Sequence, residues 1–139
     1  MYRFTYLVIP IMMFLLFCAC SKNSTNSDAN FNLQPEATFE IVSVYPAAGS
    51  ETSVTDSVVI LFSGDLDCST INTSNVRVAM GKSGTLSCNS NRVVFTPDLS
   101  FNFAIAVEVF VSKDVTDTDD ISLGSDYSYI FYTQVEPGK

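Results

Sequence analysis

Apolar and polar positions fall into three regimes along this chain. Residues 4–17 are almost wholly apolar, residues 21–32 almost wholly polar, and from Phe39 onward the two classes alternate. Alternation with a period of two marks a strand that buries one face. Seven short runs are alternating or rich in β-formers: 40–45, 57–62, 75–80, 85–88, 92–96, 104–111 and 127–133. Pro46, Gly49, Gly64, Gly81, Gly84, Pro97 and Gly124 punctuate them, and no window holds a helical period over ten residues. The pattern predicts an all-β fold, an antiparallel sandwich of about seven strands. In "RVVFTP", Val93 and Phe95 share a face; in "IAVEVFVS", Ile105, Val107, Val109 and Val111 do. With Ile60, Phe62, Val76, Val78 and Phe131 these make the expected core, while Tyr127 and Tyr129 are expected to stay partly exposed. An aromatic stripe on a strand reads as core rather than as a ligand platform.

The first regime has the anatomy of an export signal. Met1-Tyr2-Arg3 carries one positive charge, a long apolar stretch follows, and small residues surround Ala19. The rival reading, a retained membrane helix, must work with about 17 apolar residues, the lower limit for a span, and with Pro10 inside them. Phe17-Cys18-Ala19-Cys20 resembles a bacterial lipobox. Cys20 fits the lipidated position because small Ala19 precedes it, whereas Cys18 follows bulky Phe17. The match departs from the usual leucine three positions before the cysteine, where Phe17 stands. The resemblance implies that residues 1–19 are removed and that Cys20 is acylated, with palmitate-class chains holding the protein in the lipid bilayer. Each buried methylene contributes about 0.8 kcal/mol. Ser21, rather than aspartate, after the anchor leans toward the outer membrane; which face the domain occupies stays open. Residues 20–38 read as the lipidated cysteine and a flexible polar tether. Residues 39–135 form the folded domain and 136–139 a tail.

Charge and residue types then narrow the chemistry. Acidic residues outnumber basic ones 15 to 7, for a net charge of −8. Such a chain repels phosphate backbones and shows no basic patch, which argues against nucleic acid as a partner. The chain has no histidine, so Ser-His-Asp and Cys-His catalysis and the common zinc sites are excluded. There is no tryptophan platform for sugar rings either, and a small sandwich offers little cleft for paired carboxylates. No enzyme and no cofactor are expected. Cys68 and Cys88 form an even pair in a chain read as exported, and are read as a structural disulfide. "KDVTDTDD" concentrates Asp114, Asp117, Asp119 and Asp120, with Asp126 close by. Calcium ligation and a solvated acidic turn are the two readings. The second is preferred, because Ile121 stands where an EF-hand would need an aspartate. "GKSGT" at 81–85 lacks the earlier glycine of a phosphate loop and is read as a hairpin turn.

The stretch "IVSVYPAAGSETSVTDSVVILFSGDLDCSTINTSNVRV" resembles the opening of a bacterial Ig-like domain of the S-layer-associated type. It has a strand, a Pro-x-x-Gly turn at Pro46 and Gly49, a strand ending in Phe62-Ser63, then Asp67, Ser69-Thr70 and Asn72. "VVFTPDLSF", "VEVFVSKDVTD" and "YSYIFYTQ" continue the likeness through Phe131 and Thr133, so that it covers about residues 39–134. Two positions depart: Val107 replaces the family's tyrosine, and Asp120-Ile121 replaces a Gly-Asn turn, so that loop is expected to be longer or differently bent. The resemblance implies spacers, stalks and binding modules of the cell envelope without a shared catalytic site. The expected function is an anchored, non-catalytic binding or adhesion module with an unidentified protein partner. The alternative is a structural spacer of an envelope assembly.

Overall fold

A computed structural model describes residues 38–79 and 81–138. The signal segment, Cys18, Cys20 and all of the tether before Thr38 lie outside the described residues. The elements are β1 Ile41–Tyr45, β2 Glu51–Thr52, β3 Val58–Phe62, β4 Val76–Val78, β5 Gly84–Asn89, β6 Arg92–Pro97, β7 Ala106–Val111 and β8 Tyr127–Thr133. A 3-10 turn, Cys68–Thr70, lies between β3 and β4. All seven predicted strands are present. β4 stops at Val78 because Ala79 turns to a positive φ of 47°, and β7 starts two residues late, after Ala104 at 53°. The unpredicted β2 is two residues long and lies parallel to the end of β8.

The strands form two four-stranded sheets, ordered β1-β3-β6-β5 and β2-β8-β7-β4. Their facing sides make the core. Val58, Ile60 and Phe62 of β3 meet Val107, Val109 and Val111 of β7, with Val93, Phe95, Val76, Val78 and Phe131 around them. Each such side chain, fully buried, contributes about 1.5–3 kcal/mol. Phe39 stacks on Phe62 at 5.3 Å, and Phe101 meets Phe131 edge-on at 5.8 Å. The predicted core residues are buried, Ile105 only partly.

Two expectations are corrected. Tyr129 is buried, not partly exposed: it points into the core from β8, while Tyr127 is half-buried against the same cluster. The Tyr129 hydroxyl has no hydrogen-bond partner, and burial raises its pKa well above the ordinary tyrosine value. The "GKSGT" segment is not a hairpin turn, because β4 and β5 lie in different sheets. It carries the chain across the sandwich, starting from a turn in which the N–H groups of Gly81 and Lys82 both donate to the Val78 carbonyl. Gly84 at its end is required on steric grounds: a Cβ there would lie 2.4 Å from the Phe95 ring.

The sandwich has two distinct ends. The chain enters beside Ser63, whose N–H donates to the Glu40 carbonyl at 2.9 Å. This entry end gathers residues 63–75, the turn at 90–91 and the loop 112–126. Leu66 bridges to Asp117, and Asp67 N–H donates to the Thr116 carbonyl. The Cys68–Cys88 disulfide closes it, with Cα atoms 5.7 Å apart. The far end carries residues 46–57, 79–83, 98–105 and the tail.

Candidate interaction surface

At the entry end, the residues expected to carry chemistry are engaged in building turns. Asp67 caps the 3-10 turn by accepting from Ser69 N–H at 2.9 Å, and the Ser69 side chain first, then this backbone bond, holds its carboxyl below the usual carboxylate range. Thr70 Oγ1 donates to the Asp67 carbonyl and accepts from Thr116 N–H. Asn72 Oδ1 accepts from the N–H groups of Ser74 and Asn75. The Asp-x-Ser-Thr-x-Asn motif is thus a set of side chains standing in for backbone acceptors in a loop.

The same holds for the aspartate run. Asp117 is buried and its Oδ1 accepts from Asp119 N–H at 2.9 Å and Ile121 N–H at 2.8 Å. Asp120 takes a φ of +62°, the left-handed conformation that aspartate tolerates, so the departure from Gly-Asn still makes a turn. That turn is tight, closed by Asp117 N–H donating to the Ile121 carbonyl. Asp114 pairs with Lys113 at 2.9 Å, an exposed contact that lowers the carboxyl pKa and is worth little stability. Asp126 accepts from Lys113 N–H. Among the described residues no three Asp, Glu, Cys or His side chains are placed to hold a metal ion. Asp114, Asp117, Asp119 and Asp120 therefore do not converge as calcium ligands would.

The outer face of the β2-β8-β7-β4 sheet is different in kind. On β8 the side chains of Ser128, Ile130 and Tyr132 point away from the core, and Ile130 and Tyr132 are 45% and 48% exposed. Tyr132 lies opposite Ala106, Ile130 opposite Glu108 and Ser128 opposite Phe110. Ile130 and Phe110 are therefore diagonal neighbours, within reach of long side chains. Tyr132, Ile130 and Phe110 thus trace an apolar diagonal across the sheet. At its end, Arg77 of β4 lies opposite Phe110, its guanidinium carbon 4.2 Å from the ring centroid. A groove of about 320 Å³ is lined there by Thr73, Arg77, Gly81, Glu108 and Phe110. Sequence reasoning missed these residues. A signal was present, since "YSYIFYT" is apolar in both phases of its alternation and one phase must face outward.

Comparison with known proteins fits this all-β architecture. The family profile of the bacterial Ig-like domain matches residues 35–133. The chain belongs to the bacterial Ig-like domain family.

Among solved structures, the Ig-like domain is similar to PcoC, a methionine-rich copper resistance protein from Escherichia coli. That likeness has 16% identity and a TM-score of 0.58, over 70% of this chain and 100% of the other. It is also similar to an L,D-transpeptidase from Mycobacterium smegmatis, at 19% identity and a TM-score of 0.53. That match covers 70% of this chain and 41% of the other, so the chain spans less than half the length of that enzyme. A slighter likeness, with 18% identity and a TM-score of 0.48, links it to the N-terminal part of the bacterial S-layer protein SbsC, over 70% of this chain and 24% of that one. At these identities the first two likenesses establish the fold alone. No curated protein matches the sequence.

Proposed function

We propose that this Ig-like domain is a non-catalytic binding module, held at the bacterial outer membrane by acyl chains on Cys20 and displayed on the tether of residues 20–38. The observation that carries the binding reading is the apolar diagonal of Tyr132, Ile130 and Phe110 on the outer sheet face. Scattered single apolar side chains need no explanation, but neighbours in register on one face resemble an interaction site, where a pure spacer would be uniformly polar. The lipobox-like segment supports the anchor.

The test is made on intact cells. Fed an alkyne fatty acid, the protein becomes labelled, and Cys20→Ala abolishes the label; a Cys20→Ala chain that still takes up label overturns the anchor. External protease digests the domain while a periplasmic control protein survives; protection until the envelope is opened would place it inside and favour an envelope spacer. Cross-linking then decides between binder and spacer. The Ile130→Ser/Tyr132→Ser pair should remove specific cross-linked species, and an unchanged pattern would refute the binding face.

A further inference from the structure

We propose that the groove beside Arg77 is a carboxylate site, and that its occupant is an acidic segment of a partner protein lying across the β4–β7 face. This inference rests on the binding-module reading and adds its recognition chemistry.

The argument begins with an arginine that the fold does not use as a charge. No carboxylate among the described residues lies within 4.0 Å of the Arg77 guanidinium; the ion pair formed between described residues is Lys113–Asp114. Arg77 sits instead on the face of Phe110. Contact with the ring restrains the guanidinium, and a guanidinium takes a carboxylate with two parallel hydrogen bonds. This happens on a chain of net charge −8, where partners for an arginine are plentiful. Even Glu108, which lines the same groove, is not within ion-pairing distance.

The surroundings suit a peptide. Gly81, at φ +102°, has nothing within 4 Å of where a Cβ would stand, so that wall is open to an approaching chain. The groove's roughly 320 Å³ accommodates about a side chain and its adjoining backbone. Ile130 lies diagonally next to Phe110 and offers apolar contact to a neighbouring residue of the same segment. A second groove, along the free edge of β4, shares Arg77, Thr73 and Gly81 and adds Lys82 and Asp98. Lys82 donates to the Ser100 carbonyl at 2.9 Å. Two of the four lysines and arginines among the described residues thus border adjoining grooves, while most carboxylates cluster at the entry end. Charge complementarity favours an acidic segment over a neutral or basic one. Glu108 in the wall favours a monoanion over a phosphate dianion, whose second charge it would repel.

The test uses the full chain in detergent and a fluorescein-labelled peptide of alternating valine and glutamate. A glutamine counterpart and a phosphoserine counterpart serve as probes of charge. Saturable binding of the glutamate peptide is expected, with the glutamine peptide at least about tenfold weaker. Arg77→Gln should cost about the same factor, Arg77→Lys less, and Arg92→Gln, a distant exposed arginine, nothing. Glu108→Gln should tighten binding and admit the phosphoserine peptide. Melting temperatures of all variants confirm that they are folded. Absence of saturable binding into the millimolar range, equal binding of the glutamate and glutamine peptides, or indifference to Arg77→Gln would each overturn the site. A wild-type preference for phosphoserine would reassign it to phosphate. If the peptide fails while Ile130→Ser/Tyr132→Ser still removes cross-links on cells, the binding face stands and only its carboxylate chemistry is lost.

Discussion

The two ends of this sandwich differ in how much charge they carry and in how much apolar surface they leave exposed. The entry end holds Glu40, Asp65, Asp67, Asp114, Asp117, Asp119, Asp120 and Asp126, together with the disulfide. Several of those carboxylates face backbone N–H groups or a hydroxyl: Asp67 toward Ser69, Asp117 toward Asp119 and Ile121, Asp65 toward Ser90 Oγ. The far end has fewer charges and leaves Leu99 74% and Phe103 39% exposed. Its main polar cluster centres on Asp56, which accepts from Thr52 Oγ1, from Tyr45 OH and from Ser53 N–H. A dense run of charge is therefore not itself a site. What decides is whether the side chains are already engaged by the chain that carries them. The entry end spends its polar groups on shape, and the surfaces with unmet capacity lie on the sheet face and beyond.

This contrast can be strained at four points. The largest effect should come from Cys68→Ala/Cys88→Ala, which frees the loop between those residues in the unfolded chain and costs about 3 kcal/mol. Urea melts with and without reductant measure it, and an unchanged midpoint would mean that the entry end does not depend on its staple. Next, Asp117→Ala strips two backbone N–H groups of their acceptor in a buried setting, at about 2 kcal/mol. A loss below a few tenths of that would show the acidic loop to be dispensable. Tyr129→Phe lies in the core shared by both ends and should instead stabilise, by about 1 kcal/mol, by removing a buried hydroxyl without a partner. Destabilisation would reveal a bond for that oxygen.

The smallest effect is in pH. Thr52, first, with Tyr45 and Ser53, holds the Asp56 carboxyl below its ordinary value despite some burial. A depressed folded pKa gives stability that is present above the unfolded value near 3.9 and is lost as pH falls through the folded one. Wild-type stability should thus drop more steeply below about pH 4 than that of Asp56→Asn. Parallel curves would remove the far end's main polar cluster from the comparison.

How much of this was legible in the chain follows from the range of each interaction. Strand positions and core faces were readable because side-chain alternation is a local property of extended backbone. "RVVFTP" and "AVEVFV" announce their buried sides within six residues, and β6 and β7 bury them as read. The Cys68–Cys88 pairing was readable because no other cysteines remain in the body of the chain. β2 was not, since Glu51 and Thr52 have no apolar pattern and become a strand only where β8 offers an edge. Nor could the segment after β4 be assigned: a glycine-rich link serves equally as a hairpin or as a crossing between sheets, and only the packing of the two layers chooses.

The candidate site divides along the same line. Residue types alone excluded histidine-based catalysis and made an acidic, anchored, all-β protein the reading to test. That Tyr129 goes inward while Ile130 and Tyr132 go out was decided by the register of β8 on β7, because a strand apolar on both faces does not choose its own core side. Arg77 and Phe110 stand 33 positions apart in sequence. Only the pairing of β4 with β7 lays one upon the other.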